Sequence, residues 1–176
     1  MKKIILLLLL SHYSFSQITQ IGDDIDGEAA GDYSGTVSVS SDGTIVAIGA
    51  IENDGNGNDA GHVRVYQWVD SSWTQLGSDI EGEAAGDYSG TVSLSSDGTI
   101  IAIGARLNDA TGDNSGHVRV YEWDNTSWTQ LGEDIDGAAG DQSGYSVSLS
   151  SDGTMIAIGA VSNSNYIGHV LSLIHI

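Results

Sequence analysis

One segment occurs three times in this chain, with equivalent residues at Ile21, Leu76 and Leu131 and therefore a period of 55 residues. The copies read IGDDIDGEAAGDYSGTVSVSSDGTIVAIGA, LGSDIEGEAAGDYSGTVSLSSDGTIIAIGA and LGEDIDGAAGDQSGYSVSLSSDGTMIAIGA. A repeat of this length with several strand-like runs is typical of a propeller blade or a related array, in which neighbouring copies bury each other's apolar faces. Because a group that recurs in every copy serves the repeat itself, we expect no catalytic residue in this chain.

Each repeat contains runs typical of four β-strands. Residues 36–40 alternate valine with serine and lead into Asp42-Gly43, a dipeptide that favours a tight hairpin. Residues 44–50, TIVAIGA, are apolar at nearly every position, which predicts an interior strand covered on both faces. Residues 62–68, HVRVYQW, predict a third strand, and residues 73–76 predict a fourth. The sequence therefore predicts an all-β fold built of four-stranded antiparallel propeller blades.

Both ends of the repeat array depart from this pattern. Residues 17–25 match the fourth-strand segment, but no earlier strands precede them, so we expect an orphan outer strand that completes the last blade of a closed ring. The alternative is a repeat boundary drawn elsewhere. After residues 168–170 the third copy breaks off into LSLIHI. We interpret residues 171–176 as a non-native tail and residues 17–170 as a partial, truncated propeller.

The first 16 residues have the features of a secretory signal peptide. Lys2 and Lys3 precede the apolar residues 4–10, and small residues follow at Ser14 and Ser16. This apolar run is far shorter than the roughly 20 residues of a membrane-spanning helix, which disfavours the alternative of a retained anchor. We therefore expect a protein that is secreted, extracellular or held at the cell surface, with no membrane insertion after the signal is removed.

Removal of that segment leaves three arginines against 24 acidic residues, a net charge of −21. A surface this acidic repels phosphate backbones and anionic lipid headgroups, so we expect neither nucleic acid nor a membrane surface as a partner. The chain has no cysteine, and its stability must come from packing or bound ions rather than from disulfides. The same acidity is also compatible with a simple adaptation for solubility.

The order of motifs in one repeat resembles the FG-GAP repeats of integrin-like β-propellers, in particular the bacterial secreted type. SG, a strand, SDGT, a strand ending in IGA, a loop and GHVRVY follow one another, and the resemblance covers residues 17–170. The family's Phe-Gly pair falls at Ser34-Gly35 and its Gly-Ala-Pro at Gly49-Ala50, without the phenylalanine and without the proline. The resemblance implies a propeller that functions in adhesion or in contacts at the cell surface.

The calcium loop of many members of this family is reduced here to Ser41-Asp42-Gly43, too few carboxylates for a cation that takes about six to eight oxygens. Another set of acidic residues alternates on the segment that enters each blade, where crowded carboxylates favour calcium. These candidate ligands are Asp24, Asp26, Glu28, Asp32, Asp79, Glu81, Glu83 and Asp87. In the third copy Ala138 is expected to replace Glu28, which leaves Asp134, Asp136 and Asp141. The alternative is a set of solvated acidic loops.

The other polar and aromatic residues of the repeat are expected to serve packing. His62, His117 and His169 recur at the start of the third strand, one blade apart, which favours a structural role over a metal or general-base role. Tryptophans recur in pairs, such as Trp68 and Trp73, around the turn between the third and fourth strands. Indoles there pack between blades or stack on sugar rings, and we favour packing.

These features predict a secreted β-propeller binding module for adhesion or for contact with an extracellular protein or glycan. The alternative is a non-catalytic accessory part, or a fragment, of an extracellular polysaccharide-acting propeller enzyme. An enzyme needs polar residues that differ between blades and converge on the central channel, whereas the runs TVSVS and TVSLS are nearly identical. The loops at residues 52–60 and 107–115 vary most between copies and are the expected recognition face.

Overall fold

The computed structural model describes residues 19–162 and 167–174, and within them the regular elements are β-strands. The predicted signal peptide, residues 1–16, lies outside the described residues. In these two ranges thirteen strands form three antiparallel sheets, one for each sequence repeat. In the described part of the chain, no helix has the length and apolar character needed to cross a membrane. The predicted all-β class is confirmed.

Each sheet is built from strands that follow one another in the chain, and we call the three sheets blades 1, 2 and 3. Blade 1 contains β1 (Ser34–Val39), β2 (Ile45–Ala50), β3 (His62–Val69), β4 (Ser72–Gln75) and β5 (Ile80–Glu81). Blade 2 contains β6 (Ser89–Leu94), β7 (Ile100–Ala105), β8 (His117–Trp123), β9 (Trp128–Gln130) and β10 (Ile135–Asp136). Blade 3 contains β11 (Ser143–Leu149), β12 (Met155–Ala160) and β13 (His169–Ile174).

A network of serine, aspartate and threonine closes the first hairpin of each blade. In blade 1 the amide of Ile45 donates to Ser40 Oγ at 2.9 Å, and Ser40 Oγ donates to Asp42 Oδ1 at 2.7 Å. Thr44 donates to the same oxygen from its amide at 3.0 Å and from its hydroxyl at 2.8 Å. Gly43 takes a φ of 74°, a left-handed conformation that favours glycine. The hairpin predicted from the Asp-Gly dipeptide is therefore present.

We expect the acid limb of the stability curve to depend on these turn aspartates. The Thr44 amide is the main cause that lowers the pKa of Asp42 below 3.8. The Ser95 hydroxyl is the main cause that lowers the pKa of Asp97, and the Ser150 hydroxyl is the main cause that brings the pKa of Asp152 to about 2. A carboxylate with a lowered folded-state pKa stabilises the fold above its unfolded pKa, and this contribution is lost as the pH falls through the folded value. The loss should therefore occur between about pH 4 and pH 2. The triple variant Asp42→Asn, Asp97→Asn, Asp152→Asn should show a flatter fall of Tm over this range in thermal melts, and identical slopes would contradict the expectation.

The fourth strand of blades 1 and 2 is interrupted. In blade 1, β4 and β5 both pair with β3, and between them the amide of Leu76 donates to the carbonyl of Val65 at 2.7 Å. Gly77, at the interruption, has a φ of 81°. Residues 19–33, predicted to include an orphan fourth strand, contain no strand in the structure and have no third strand of a preceding blade beside them in the described residues. Ring closure by this segment stays a prediction.

In blade 2 the apolar second strand is covered by neighbouring blades on both faces, whereas in the described residues β2, predicted from residues 44–50 to be covered on both faces, is covered by blade 2 alone. Ile45 and Ala47 of β2 belong to one core cluster with Ile101 and Ile103 of β7, so blades 1 and 2 pack face to face. Ala102, which points to the other face of β7, belongs to a second cluster with residues of β12 in blade 3. β7 is thus covered on both faces, as its continuous apolar run predicts.

Blade 3 has three strands in the described residues. β13 pairs with β12 from His169 opposite Ala160, the register that His62 has with Ala50 in blade 1. The segment interpreted as a non-native tail begins inside this strand, and Leu171 packs against the second core cluster. The structure therefore extends the third strand of blade 3 into that segment.

Candidate functional site

The acidic residues predicted as calcium ligands separate into distinct environments. Asp32 and Asp87 are buried under the segment that enters each blade. Asp32 Oδ2 accepts hydrogen bonds from the amide of Ala29 at 3.1 Å and from Nδ2 of Asn53 at 3.0 Å. Asp87 makes the equivalent contacts in blade 2. These two carboxylates fasten loops, and one oxygen of each is already doubly hydrogen-bonded.

The third repeat has lost a glutamate rather than replaced it. The amide of Ala138 donates to Asp141 Oδ2 at 3.2 Å, which is the contact that Ala29 makes with Asp32. Ala138 therefore corresponds to Ala29, and the expectation that it stands in place of Glu28 is wrong. One extra residue in β11, where the pairing register shifts, restores the period.

Asp26 and Glu81 contribute their backbone to the blade junctions. Their carbonyl oxygens accept hydrogen bonds from Arg64 Nη2 at 3.0 Å and from Arg119 Nη2 at 2.7 Å, respectively. Burial raises the pKa of the Glu81 carboxyl group, which lies partly under the neighbouring loop. Because Glu81 belongs to blade 1 and Arg119 to blade 2, the contact ties consecutive blades together.

Glu28 and Asp79 meet a histidine at the entry to blade 1. Glu28 Oε2 lies 3.8 Å and Asp79 Oδ2 lies 3.7 Å from Nδ1 of His62. The other oxygen of each carboxylate has its own partner: Arg64 Nη1 lies 3.5 Å from Glu28 Oε1, and Gln75 Nε2 donates to Asp79 Oδ1 at 2.5 Å. We call Glu28, His62 and Asp79 the first junction cluster.

The same arrangement recurs at the junction of blades 1 and 2. Glu83 Oε2 lies 3.8 Å and Asp134 Oδ2 lies 3.5 Å from Nδ1 of His117. Arg119 Nη1 lies 3.5 Å from Glu83 Oε1, and Gln130 Nε2 donates to Asp134 Oδ1 at 2.7 Å. We call Glu83, His117 and Asp134 the second junction cluster. In each cluster one nitrogen and two carboxylate oxygens lie within 4.8 Å of one another.

The central histidines are buried and lack hydrogen bonds. His62 is 1% exposed and His117 is 0% exposed, and neither ring nitrogen of either residue has a hydrogen-bond partner. Burial, followed by the charge of Arg119, lowers the pKa of His117, which favours the neutral imidazole. His169 of blade 3 differs, because it is about one third exposed and its Nε2 lies 3.5 Å from Asp141 Oδ2. Sequence analysis favours a structural role for these histidines, and it does not predict that the acidic candidates converge on two of them.

Asp24 is the counterpart of Asp79 in the segment that enters blade 1. Gln20 Nε2 donates to Asp24 Oδ1 at 2.8 Å, as Gln75 does to Asp79. Among residues 19–162 and 167–174, the carboxylate of Asp24 forms no ion pair with a histidine. The predicted ligand set is therefore divided, and of the named candidates Glu28, Asp79, Glu83 and Asp134 lie in the junction clusters.

A shallow cleft occurs at the same place on blades 1 and 2, beside the turn between the third and fourth strands. Its volume is about 350 Å³ on blade 1 and about 420 Å³ on blade 2. Aromatic rings, hydroxyl groups and carboxylates line both clefts. The main residues are Asp24, Asp26, Tyr66, Ser71, Ser72 and Trp73 on blade 1. The equivalents on blade 2 are Asp79, Glu81, Tyr121, Thr126, Ser127 and Trp128.

Tryptophan pairs form one side of these clefts. The rings of Trp68 and Trp73 lie 5.1 Å apart at 60°, and those of Trp123 and Trp128 lie 5.4 Å apart at 49°. Trp128 Nε1 donates to the carbonyl of Leu76 at 2.9 Å, and the ring packs against the first core cluster. The packing role predicted for the tryptophans is therefore observed, while the exposed parts of Trp73 and Trp128 remain cleft surface.

The loops predicted as the recognition face are fastened to the next blade. In the first loop, the carbonyl of Asn58 accepts from the amide of Gly86 at 2.8 Å, and the carbonyl of Asp59 accepts from Tyr88 at 3.1 Å. Equivalent hydrogen bonds hold the second loop against blade 3. The backbone of both loops is thus part of the blade junction, and recognition by their exposed side chains stays a prediction.

No protein-family model matches this chain, and no curated protein matches it significantly. Among solved structures, a protein assigned as a 6-phosphogluconolactonase from Bacteroides fragilis matches with a TM-score of 0.52 and 15% identity, over 82% of this chain and 39% of that chain. Hydrazine synthase from Kuenenia stuttgartiensis matches with a TM-score of 0.46 and 14% identity, over 80% of this chain and 46% of that one. The chain spans less than half the length of either structure. The first likeness shows the fold alone, that of propeller blades, and the three sheets of the described residues do not close into a ring.

Proposed function

We propose that this chain is part of a secreted propeller-type binding module that holds an extracellular glycan in its repeated clefts. The observation that carries the proposal is the recurrence of one cleft, with equivalent lining residues, on two successive blades. An enzyme active site is built once in a fold, whereas a binding array repeats one surface along its length. The repetition therefore supports binding, in line with the resemblance to FG-GAP propellers, and supports no catalytic role for this chain.

The chemistry of the clefts suits a polyhydroxylated ligand. Tyr66 and Trp73 offer ring surface for the apolar face of a sugar, and both keep a polar edge. Ser72 and Asp24 offer a hydroxyl and carboxylate oxygens that accept hydrogen bonds from sugar hydroxyl groups. The large negative charge of the chain disfavours sulfated or uronic-acid polymers. We therefore infer a neutral glycan, and a role as an accessory part of a polysaccharide-acting enzyme would use the same contact.

Filling the clefts should abolish glycan retention. Ser72 and Ser127 are exposed at the start of the fourth strand, so Ser72→Tyr and Ser127→Tyr should place a bulky ring in each cleft without disturbing the core. Because two linked sites reinforce each other, one filled cleft should weaken apparent affinity by roughly 100-fold, and two should remove binding. The measurement is retention of the full chain on immobilised neutral β-glucan and xylan, with alginate as the anionic comparison.

The matched control places the same ring on the same strands outside the clefts. Thr74→Tyr and Thr129→Tyr lie on β4 and β9, are exposed and do not line either cleft. They should bind as the parent chain does. Retention on no neutral glycan, preference for alginate, or equal loss in both pairs of variants would contradict the proposal, and a protein ligand would then be the better candidate.

A further inference from the structure

In each junction cluster the two carboxylates direct one oxygen toward the histidine and do not form a hydrogen bond with it. In the first cluster, one oxygen of Glu28 faces an arginine and one oxygen of Asp79 accepts from a glutamine, while the second oxygen of each faces His62 Nδ1. The second cluster repeats this division atom for atom. Outer partners that hold one oxygen and leave the other directed inward are the usual setting of a metal ligand.

We propose that each junction cluster binds one borderline divalent cation, with Zn²⁺ as the representative ion. The ligands are Nδ1 of the buried histidine and the inward oxygen of each carboxylate, namely Glu28, His62 and Asp79 in the first cluster and Glu83, His117 and Asp134 in the second. Solvent completes the coordination. The cation joins a segment leaving one blade to the third and fourth strands of the next.

Two buried histidines that lack hydrogen bonds distinguish this site from a plain group of acidic residues. A buried polar group without a hydrogen bond costs free energy, and both nitrogens of His62 and of His117 are in that state. A cation at Nδ1 supplies a partner for that one nitrogen. It also neutralises two inward carboxylate oxygens that otherwise repel each other at close range, a charge that the single arginine beside each cluster offsets only in part.

The donor set selects the kind of cation. One imidazole nitrogen with two carboxylate oxygens suits zinc and its first-row neighbours. These cations bind histidine nitrogen as well as carboxylate oxygen, and their sites have three or four protein ligands. Calcium takes about six to eight oxygens and makes poor use of imidazole. Calcium, predicted at these acidic segments, thus becomes the comparison ion. Zinc would bind the imidazoles of His62 and His117, whereas calcium would leave them unbound.

Blade 3 provides an internal negative control. The glutamate that precedes the entry alanine is deleted there, and His169 pairs with Asp141 instead. The described residues therefore contain two complete clusters, and we expect two bound Zn²⁺ ions for each chain.

The test measures Zn²⁺, Mn²⁺ and Ca²⁺ binding to the full chain after treatment with a chelator, by calorimetry and by metal analysis after dialysis. We expect two bound Zn²⁺ ions in the parent, one in Glu83→Gln, and none in Glu28→Gln/Glu83→Gln. At each changed cluster the affinity for Zn²⁺ should fall by more than the roughly 10- to 100-fold that is typical when a partner of a metal ligand is removed. Glu122→Gln, an exposed change of the same chemistry on β8, should keep two. Circular dichroism checks that each variant folds, and because neither glutamate lines a cleft, glycan retention of the same variants is measured as a separate readout.

A second readout addresses the histidines directly. In protein labelled with ¹⁵N-histidine, Zn²⁺ should shift the Nδ1 resonances of His62 and His117, and Glu28→Gln/Glu83→Gln should remove both shifts. Unchanged stoichiometry in the double glutamine variant would overturn the proposal. So would binding of Ca²⁺ in preference to Zn²⁺, or Zn²⁺ binding that leaves the two Nδ1 resonances in place.

Discussion

Gly104→Ala should lower stability by about 3 kcal/mol, near the upper end of what overpacking costs, because it forces two backbones apart. Gly104 lies in the middle of blade 2, and a Cβ built on it would meet the backbone of Gly144 in blade 3, with its carbonyl carbon at 2.9 Å and its Cα at 3.0 Å. A flexible side chain can move away, but a strand backbone cannot. For a chain of this size the loss corresponds to a Tm about 6 to 12 °C lower in thermal melts.

Gly35→Ala is the matched control for this change. Gly35 lies in β1, has no positive φ, and a Cβ built on it meets nothing within 4 Å. The variant should melt within about 2 °C of the parent, as surface changes usually do. If Gly104→Ala melts with the parent as well, blades 2 and 3 do not approach as closely as the structure places them.

The sequence predicts the blades well because their strands carry local signals. The Asp-Gly turn at Asp42-Gly43 defines the first hairpin, and the alternation of residues 36–40 predicts β1, which lies at one edge of its sheet. The unbroken apolar run of β7 correctly indicates cover on both faces. The interruption between β4 and β5 is harder to predict. Gly77 has a positive φ there and lies against Trp123 and Trp128 of the next blade, and the local sequence does not indicate this contact.

The candidate site is less predictable because its members come from three stretches of chain. Alternating carboxylates would share one face of a strand, which suggests one shared ion, but residues 19–33 contain no strand and do not hold that spacing. Glu28 and Asp79 therefore join a cluster centred on His62, while Asp32 turns under the loop to Asn53. The available signal was the constant spacing of glutamate, histidine and aspartate in two repeats, together with loss of the glutamate in the third.

Ile103→Ala should cost about 2 to 5 kcal/mol, the range for removing most of a buried isoleucine side chain from a close-packed core. Ile103 is 1% exposed and packs between blade 1 and blade 2 in one cluster with Ala47 and Val65. The equivalent residue of blade 1, Ile48, is only partly buried, because no blade precedes it in the described residues. Ile48→Ala should therefore cost about 1 kcal/mol. Urea unfolding at neutral pH measures both changes.

The comparison separates blade stacking from strand propensity, since both substitutions remove the same atoms from equivalent positions of the second strand of two blades. Local effects on the second strand are equal and cancel in the difference between Ile103→Ala and Ile48→Ala. The remainder reports the apolar contact that one blade makes with the blade before it. Equal costs at the two positions would mean that each sheet is stable by itself, and the repeat would then be a chain of independent units without a shared core.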